Sequence, residues 1–163
     1  MKVVMMLLVI GLNLSSYAQS EKEINDQVWK SFVETFNNHL SNEFLALHSK
    51  ELVRSSRESR QVLNWDQYLK QTIGGDKQDL DEKRKRDLEL RFTERISNGS
   101  QAIEVGVYKT TYHFANGKTQ TYYGRFHVAL RKEKGVWKIL VDTDSSENNS
   151  IGEKDFLAAK PME

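Results

Sequence analysis

Between Leu88 and Ser145 apolar and polar residues alternate with the period of two that a half-buried β-strand requires. Turn residues break the alternation three times. Asn98-Gly99 and Asn116-Gly117 are dipeptides that favour two-residue type I′ turns, because both central residues of that turn need positive φ. Glu133-Lys134 supplies a third turn. Folding the chain on the first turn sets Phe92 opposite Val105 and Leu90 opposite Val107. The second sets Val105 against Val128, Val107 against Phe126 and Ile103 against Leu130. The third sets Leu130 against Trp137, Val128 against Ile139 and Phe126 against Val141. One face then carries all of these apolar residues, and a one-residue slip in any pair would scatter them over both. The pattern predicts a four-stranded antiparallel meander with one apolar face.

Upstream the period changes. Ile24, Val28, Phe32, Phe36 and Leu40, with Trp29 and Val33 alongside, form the single stripe of a helix of about five turns from Ser20 to about His39. Ser41-Asn42-Glu43 opens a short second helix that carries Phe44, Leu45 and Leu47 and ends near Ser49. Leu52–Ser55 and Gln61–Leu63 read as a short strand pair around a polar loop. Asn64 caps a third helix presenting Trp65, Tyr68, Leu69 and Ile73, which Gly74-Gly75 interrupts. The stretch from Asp76 to Asp87 is almost wholly charged, with Leu80 its one apolar residue, and reads as a solvated helix end or loop. The tail beyond Ser150 reads as loose. Helices followed by a meander make an α+β pattern in which the helices cover the apolar face of one curved sheet.

Composition narrows the setting. Met1-Lys2, the apolar run Val3 to Leu14 and small residues at Ser16 and Ala18 have the form of a secretory signal peptide cleaved after Ala18. The apolar run falls short of the roughly 20 residues needed to span a bilayer. The expected organisation is therefore a signal peptide over 1–18, one domain over 19–150 and a C-terminal tail over 151–163, with a periplasmic or secreted location. The chain has 24 basic and 23 acidic residues; loss of Lys2 with the signal leaves it near neutral, without the footprint of a nucleic-acid binder. It contains no cysteine, which removes disulfides, thiolate nucleophiles and cysteine zinc sites together. His39, His48, His113 and His127 lack metal-ligand spacing, and no phosphate loop or nucleophile elbow occurs, so neither metal nor cofactor is expected.

The long first helix, the short second helix ending Leu45-Ala46-Leu47-His48-Ser49, and the runs Tyr123-Gly124-Arg125-Phe126-His127-Val128 and Gly135-Val136-Trp137-Lys138-Ile139 together resemble the NTF2-like superfamily. Within it they are most similar to the SnoaL-like or DUF4440 branch of small bacterial domains. The resemblance implies a cone: a strongly curved antiparallel sheet, here the meander plus the short N-terminal strand pair, wrapped around the first helix, with two further helices. It also implies a pocket at the open end and a homodimer formed through the outer sheet face. The superfamily hosts isomerases, dehydratases, hydrolases and plain binding modules, so the fold does not choose the chemistry. Ketosteroid-isomerase-like members need an Asp just after the second helix, and Leu52-Val53-Arg54-Ser55-Ser56 offers none.

The meander register also sorts the polar residues. On the concave face an apolar floor of Val107, Phe126 and Val141 runs into Lys109, Gly124 and Thr143, then Thr111, Tyr122 and Ser145, the lining expected of a small-molecule pocket. Trp29, Trp65 and Tyr68 supply its walls. The candidate ligand-binding residues are Trp29, Trp65, Tyr68, Val107, Lys109, Tyr122, Phe126 and Thr143, and the expected ligand is a small, partly apolar molecule. On the convex face Glu89, Tyr108, Arg125 and Asp142 share a row, with His127 in the next; cross-strand charge pairing accounts for them. The alternatives are an enzyme using Tyr122 and Lys109, or His127 with Asp142, and a protein-interaction module.

Overall fold

In the computed structural model, which describes residues 19–163, seven strands form one curved, unclosed sheet in the order β2-β1-β6-β5-β4-β3-β7. Residues 1–18, where a signal peptide is expected, lie outside the described residues. Helix α1 (19–37) is followed by α2 (Ser41–Ala46), β1 (His48–Ser56), β2 (Gln61–Leu63) and α3 (Trp65–Asp81). The meander consists of β3 (Lys85–Ser97), β4 (Gln101–His113), β5 (Thr119–Glu133) and β6 (Val136–Ser145). Helix α4 (Glu153–Ala158) and the short β7 (Lys160–Pro161) complete the chain. β1 runs parallel to β6, and the other pairs are antiparallel.

The helix stripe behaves as its spacing dictates, with Ile24, Val28 and Trp29 almost wholly buried against the sheet. Burial of such side chains contributes about 1.5–3 kcal/mol each. A π-helical turn over Asn25–Trp29, in which the Lys30 N–H bonds the Asn25 carbonyl, adds a residue to the repeat beside Trp29. The helix stops at Asn37, so Leu40, expected in the stripe, is exposed. The second helix stops at Ala46, because His48 and Ser49 turn inward as the buried start of β1.

Asn64 caps α3 reciprocally: its Oδ1 accepts from the Gln67 N–H and its own N–H donates to Gln67 Oε1, both at 3.0 Å. Gly74-Gly75 does not interrupt this helix, which continues to Asp81. The charged stretch that follows is not simply solvated. Arg86 is buried between Asp76 and Asp79 and donates from Nε to the Phe36 carbonyl at 2.6 Å. Ser41 Oγ donates to Asp76 at 2.5 Å and Arg84 pairs with Asp79 at 2.9 Å. These charges pin the end of α3 to the sheet and to α2, which a helix broken at the glycines could not do.

The meander exists, but its register departs from the expected one for a physical reason. At the first two turns only Gly99 and Gly117 take positive φ, and neither asparagine does. Instead Asn98 Oδ1 accepts from the Gln101 N–H at 2.8 Å and Asn116 Oδ1 from the Lys118 N–H at 3.0 Å, the side-chain turn that competes with the left-handed backbone. Both loops are therefore longer than two residues. The two-residue turn with two positive φ values sits one place later than expected in the third hairpin, at Lys134-Gly135.

With a bulge between Phe92 and Glu94, Phe92 faces Gly106 and Leu90 faces Tyr108, each displaced by one residue along β4. Gly106 in turn faces Phe126, and Tyr108 faces Gly124. The two one-residue displacements add up to two residues, setting Phe92 in line with Phe126 rather than Val128, and because two is even β3 and β5 present the expected faces while β4 is inverted. Ala102, Glu104, Gly106, Tyr108 and Thr110 point into the cone, and Ile103, Val105 and Val107 point out. Trp137 and Ile139 are buried as expected, opposite Lys132 and Leu130. A bulge between Ala129 and Leu130 then turns Val141 outward and brings Asp142 and Asp144 inward.

Gly106 is required where it stands. A Cβ there would lie 2.1 Å from the Arg91 carbonyl oxygen and 2.3 Å from the Phe126 ring. Nor is the C-terminal segment loose: Phe156 of α4, with Ile151 before the helix and Ala159 after it, packs over Val107 on the outer face, and β7 pairs with β3.

Candidate functional site

The inner face of the cone holds a chamber of about 260 Å³. Trp29, Phe32 and Phe36 reach it from α1, Phe44 from α2 and Tyr68 from α3. The sheet contributes Leu88, Leu90, Tyr108, Thr110, Phe126 and Val128. Ring centroids 5.5–5.7 Å apart link Trp29 to Phe32, Phe92 and Phe126, so the floor is an aromatic cluster with fixed geometry. A neighbouring hollow of about 330 Å³ shares Phe36, Phe44, Arg54, Tyr68 and Tyr112 and extends between α3 and the sheet to Arg86.

One wall is polar. Arg54 lies on the inward face of β1 two residues after the core residue Leu52, and β1 sets it directly opposite Asp142 of β6. Its Nε stands 3.4 Å from Asp142 Oδ2 and its Nη2 donates to Asp144. Nη1 donates to the carbonyls of Ser55 and, at 3.3 Å, Asp142. Burial opposes the charge on Arg54, but the two carboxylates outweigh it and hold the guanidinium protonated. The Asp144 carboxyl is pushed above the ordinary aspartate range by burial and by the neighbouring Asp142, against the pull of Arg54. Burial likewise raises the phenols of Tyr68, Tyr108 and Tyr112, so each stays a neutral hydrogen-bonding group. The Tyr108 ring fits because Gly124 lies beneath it: a Cβ there would be 2.4 Å from the phenol oxygen.

Behind this wall His48 is buried among Phe32, Phe44 and Tyr68. Its Nδ1 donates to the Phe44 carbonyl at 3.0 Å, Nε2 has no hydrogen-bond partner, and burial pushes the imidazole down to about 4. Another buried carboxyl, Glu104, accepts from Trp29 Nε1 and from Arg95 Nε at 2.9 Å and so fixes the indole.

Of the residues singled out from the sequence, Trp29, Tyr68 and Phe126 meet in the chamber. Tyr122 stands farther out, in the mouth, with its ring 6.0 Å from Tyr112. Trp65 packs outside the chamber, under the Lys50 ammonium at 3.7 Å. Val107, Lys109 and Thr143 lie on the opposite face of the sheet because β4 and the end of β6 are inverted. There Val107 packs under α4 and Lys109 pairs with Glu89 at 2.7 Å. Lys109 and Tyr122 therefore do not meet, nor does the outward His127 meet the inward Asp142. In the expected convex row, Glu89 and Arg125 are outward and paired to Lys109 and Glu147, whereas Tyr108 and Asp142 belong to the chamber. Sequence reasoning missed Arg54 and Asp144 and set Asp142 on the convex face. The available signal was alternation: Leu52 with Arg54, and Asp142 with Asp144, occupy same-face positions two apart on their strands.

No protein-family model matches the chain, and no curated protein matches it in sequence. Solved structures do match in fold. A conserved protein from Planctomyces limnophilus is 14% identical, with 78% of this chain and 96% of that one covered and a TM-score of 0.68. An NTF-2 like protein of unknown function from Shewanella oneidensis is 21% identical, with 73% and 93% covered and a TM-score of 0.57. A presumed scytalone dehydratase from Novosphingobium aromaticivorans is 12% identical, with 80% and 86% covered and a TM-score of 0.64. The chain thus has the NTF2-like cone fold.

Proposed function

We propose that this chain binds a small, partly apolar molecule in its cone. The observation that carries the reading is the half-aromatic, half-polar chamber, with Trp29, Phe44 and Phe126 facing a wall of Arg54, Tyr68, Tyr108, Asp142 and Asp144. Apolar surface with a few convergent polar groups is the composition of small-molecule sites, and about 260 Å³ lies just under their usual range of roughly 300–1,000 Å³. A ligand of about one ring suits it. A thermal-shift screen of single-ring compounds tests the reading: binders raise the melting temperature of the wild type, and Val128→Phe, which fills the chamber, removes the response. A response that survives in Val128→Phe would place binding elsewhere.

A second reading, an enzyme of the dehydratase, isomerase or hydrolase kind, is favoured by the raised Asp144 carboxyl beside two neutral phenols. The name given to the Novosphingobium relative is in keeping with it. On this reading Asp144→Asn abolishes turnover and retains binding; turnover that persists in Asp144→Asn would rule this carboxyl out as the catalytic acid.

Two further parts of the proposal rest on separate grounds. Export rests on the sequence of residues 1–18 and predicts a mature protein that begins at Gln19 in a periplasmic or culture fraction, by intact mass. A homodimer rests on the outer face of the sheet, where Ile96, Ile103, Ala129, Val141 and Val53 pair in one apolar row across five strands. Ile96, Ile103 and Val53 are 44–48% exposed in the single chain. Light scattering of Ile103→Lys tests this: the variant runs as a monomer where the wild type runs as a dimer.

A further inference from the structure

We infer that the ligand of the chamber carries a protonated amine on its small apolar body. The inference rests on the binding reading above and adds the charge of the ligand. The chamber wall holds one cation, Arg54, and two carboxylates, Asp142 and Asp144. Two further cations at the adjoining hollow and the mouth are already matched, Arg86 by Asp76 and Asp79 and Arg84 by Asp79 and Glu82, while Arg57 and Arg60 are exposed beside the outward His127 and Thr143. Glu58 at the mouth accepts from Ser145 and Ser146 and adds further negative charge. The wall is therefore short of one positive charge.

An anionic ligand has no place to dock. The guanidinium of Arg54 is the obvious receptor for a carboxylate, yet its Nε and Nη2 edge is taken by Asp142 and Asp144 and its Nη1 by two backbone carbonyls. A carboxylate arriving there would find the fork filled and two like charges beside it. An ammonium meets the reverse situation: two carboxylates share one guanidinium, and Tyr68, Tyr108 and Phe126 line the same chamber, supplying aromatic rings of the kind that attract a cation. The apolar part of the ligand then lies on Trp29, Phe44 and Phe126. One ring bearing a short aminoalkyl arm satisfies both halves.

Isothermal titration of the purified chain near pH 7 with 2-phenylethylamine, 2-phenylethanol and phenylacetate tests the inference, since the three share a body and differ in charge. The amine is expected to bind at least about tenfold more tightly than the alcohol, with phenylacetate weakest. Asp142→Asn and Asp144→Asn, which keep side-chain shape, should each erase most of the amine's advantage over the alcohol. Alcohol equal to or tighter than amine, or preference for phenylacetate, overturns the inference and leaves small-molecule binding standing. Failure of all three to bind up to about 10 mM overturns the binding reading itself. Because the comparison of the three compounds is made on the wild type, it decides the matter even if an Asp variant does not fold.

Discussion

Replacing His48 with Gln should remove most of the acid sensitivity of the fold. The imidazole is packed among Phe32, Phe44 and Tyr68, its Nδ1–H is given to the Phe44 carbonyl, and Nε2 faces no partner. A proton on Nε2 would place a charge in an apolar shell beside the positive fields of Arg54 and Lys138. Burial accordingly lowers the group from 6.5 to about 4. Between those values the unfolded chain takes up a proton that the folded chain refuses, so stability is complete above pH 6.5 and falls as the solution is acidified towards 4. The shift corresponds to about 3 kcal/mol when fully developed, and about 2–3 kcal/mol of it is lost by pH 4.5. With a urea m-value of about 1–3 kcal/mol/M, the wild-type midpoint should drop by about 0.7–3 M between pH 7 and pH 4.5 on this account. Asp144 acts in the opposite sense, since a raised carboxyl makes the fold gain stability as pH falls. The His48 contribution is therefore read as the difference between wild type and His48→Gln, in which every other group is common. Parallel midpoint-versus-pH curves for the two proteins would refute the reasoning.

Three other substitutions probe the frame of the site. Arg54→Met leaves Asp142 and Asp144 buried without their cation and should cost about 3–5 kcal/mol in chemical unfolding, most of it recovered when both aspartates are also changed to Asn. Gly106→Ala should cost about 1–3 kcal/mol, because the new methyl meets the Arg91 carbonyl and the Phe126 ring, while Gly124→Ala should cost less, since the movable Tyr108 ring is what it meets. Asn64→Ala removes the Oδ1 bond to the Gln67 N–H, leaving only the backbone N–H of residue 64 to bond Gln67 Oε1, and should cost about 0.5–2 kcal/mol, visible as lost helical circular dichroism at lower temperature.

How far the sequence carried can be judged strand by strand. The inward residues of β3 and β5, Leu90, Phe92, Phe126, Val128 and Leu130, were legible because their alternation is clean and because two one-residue turn errors sum to an even shift, which keeps the face. The face of β4 was not. Its outward side carries Ile103, Val105 and Val107, more apolar than the inward side with Glu104, Gly106 and Tyr108, so the hydrophobic pattern itself pointed the wrong way. Two physical facts reverse it. The asparagines cap their loops through their side chains instead of taking positive φ, and Gly106 must sit inside to let Phe126 cross. The polar wall was hidden by a bulge: without the irregularity between Ala129 and Leu130, Asp142 falls among the outward residues. Arg54 was hidden because its strand is long and parallel to β6, a pairing no local turn signal announces. Trp29, Tyr68 and Phe126, by contrast, followed from helix spacing and from a strand whose face was read correctly.

The central claim, that the cone receives a small molecule on its inner face, is tested most directly by mapping where one binds. Titration of isotopically labelled protein with 2-phenylethylamine and 2-phenylethanol, followed by chemical-shift changes, should move the resonances of Tyr68, Tyr108, Thr110, Phe126 and Val128 together. Shifts gathered instead around Val107, Lys109 and Thr143 on the outer face, or no shifts with either compound, would contradict it.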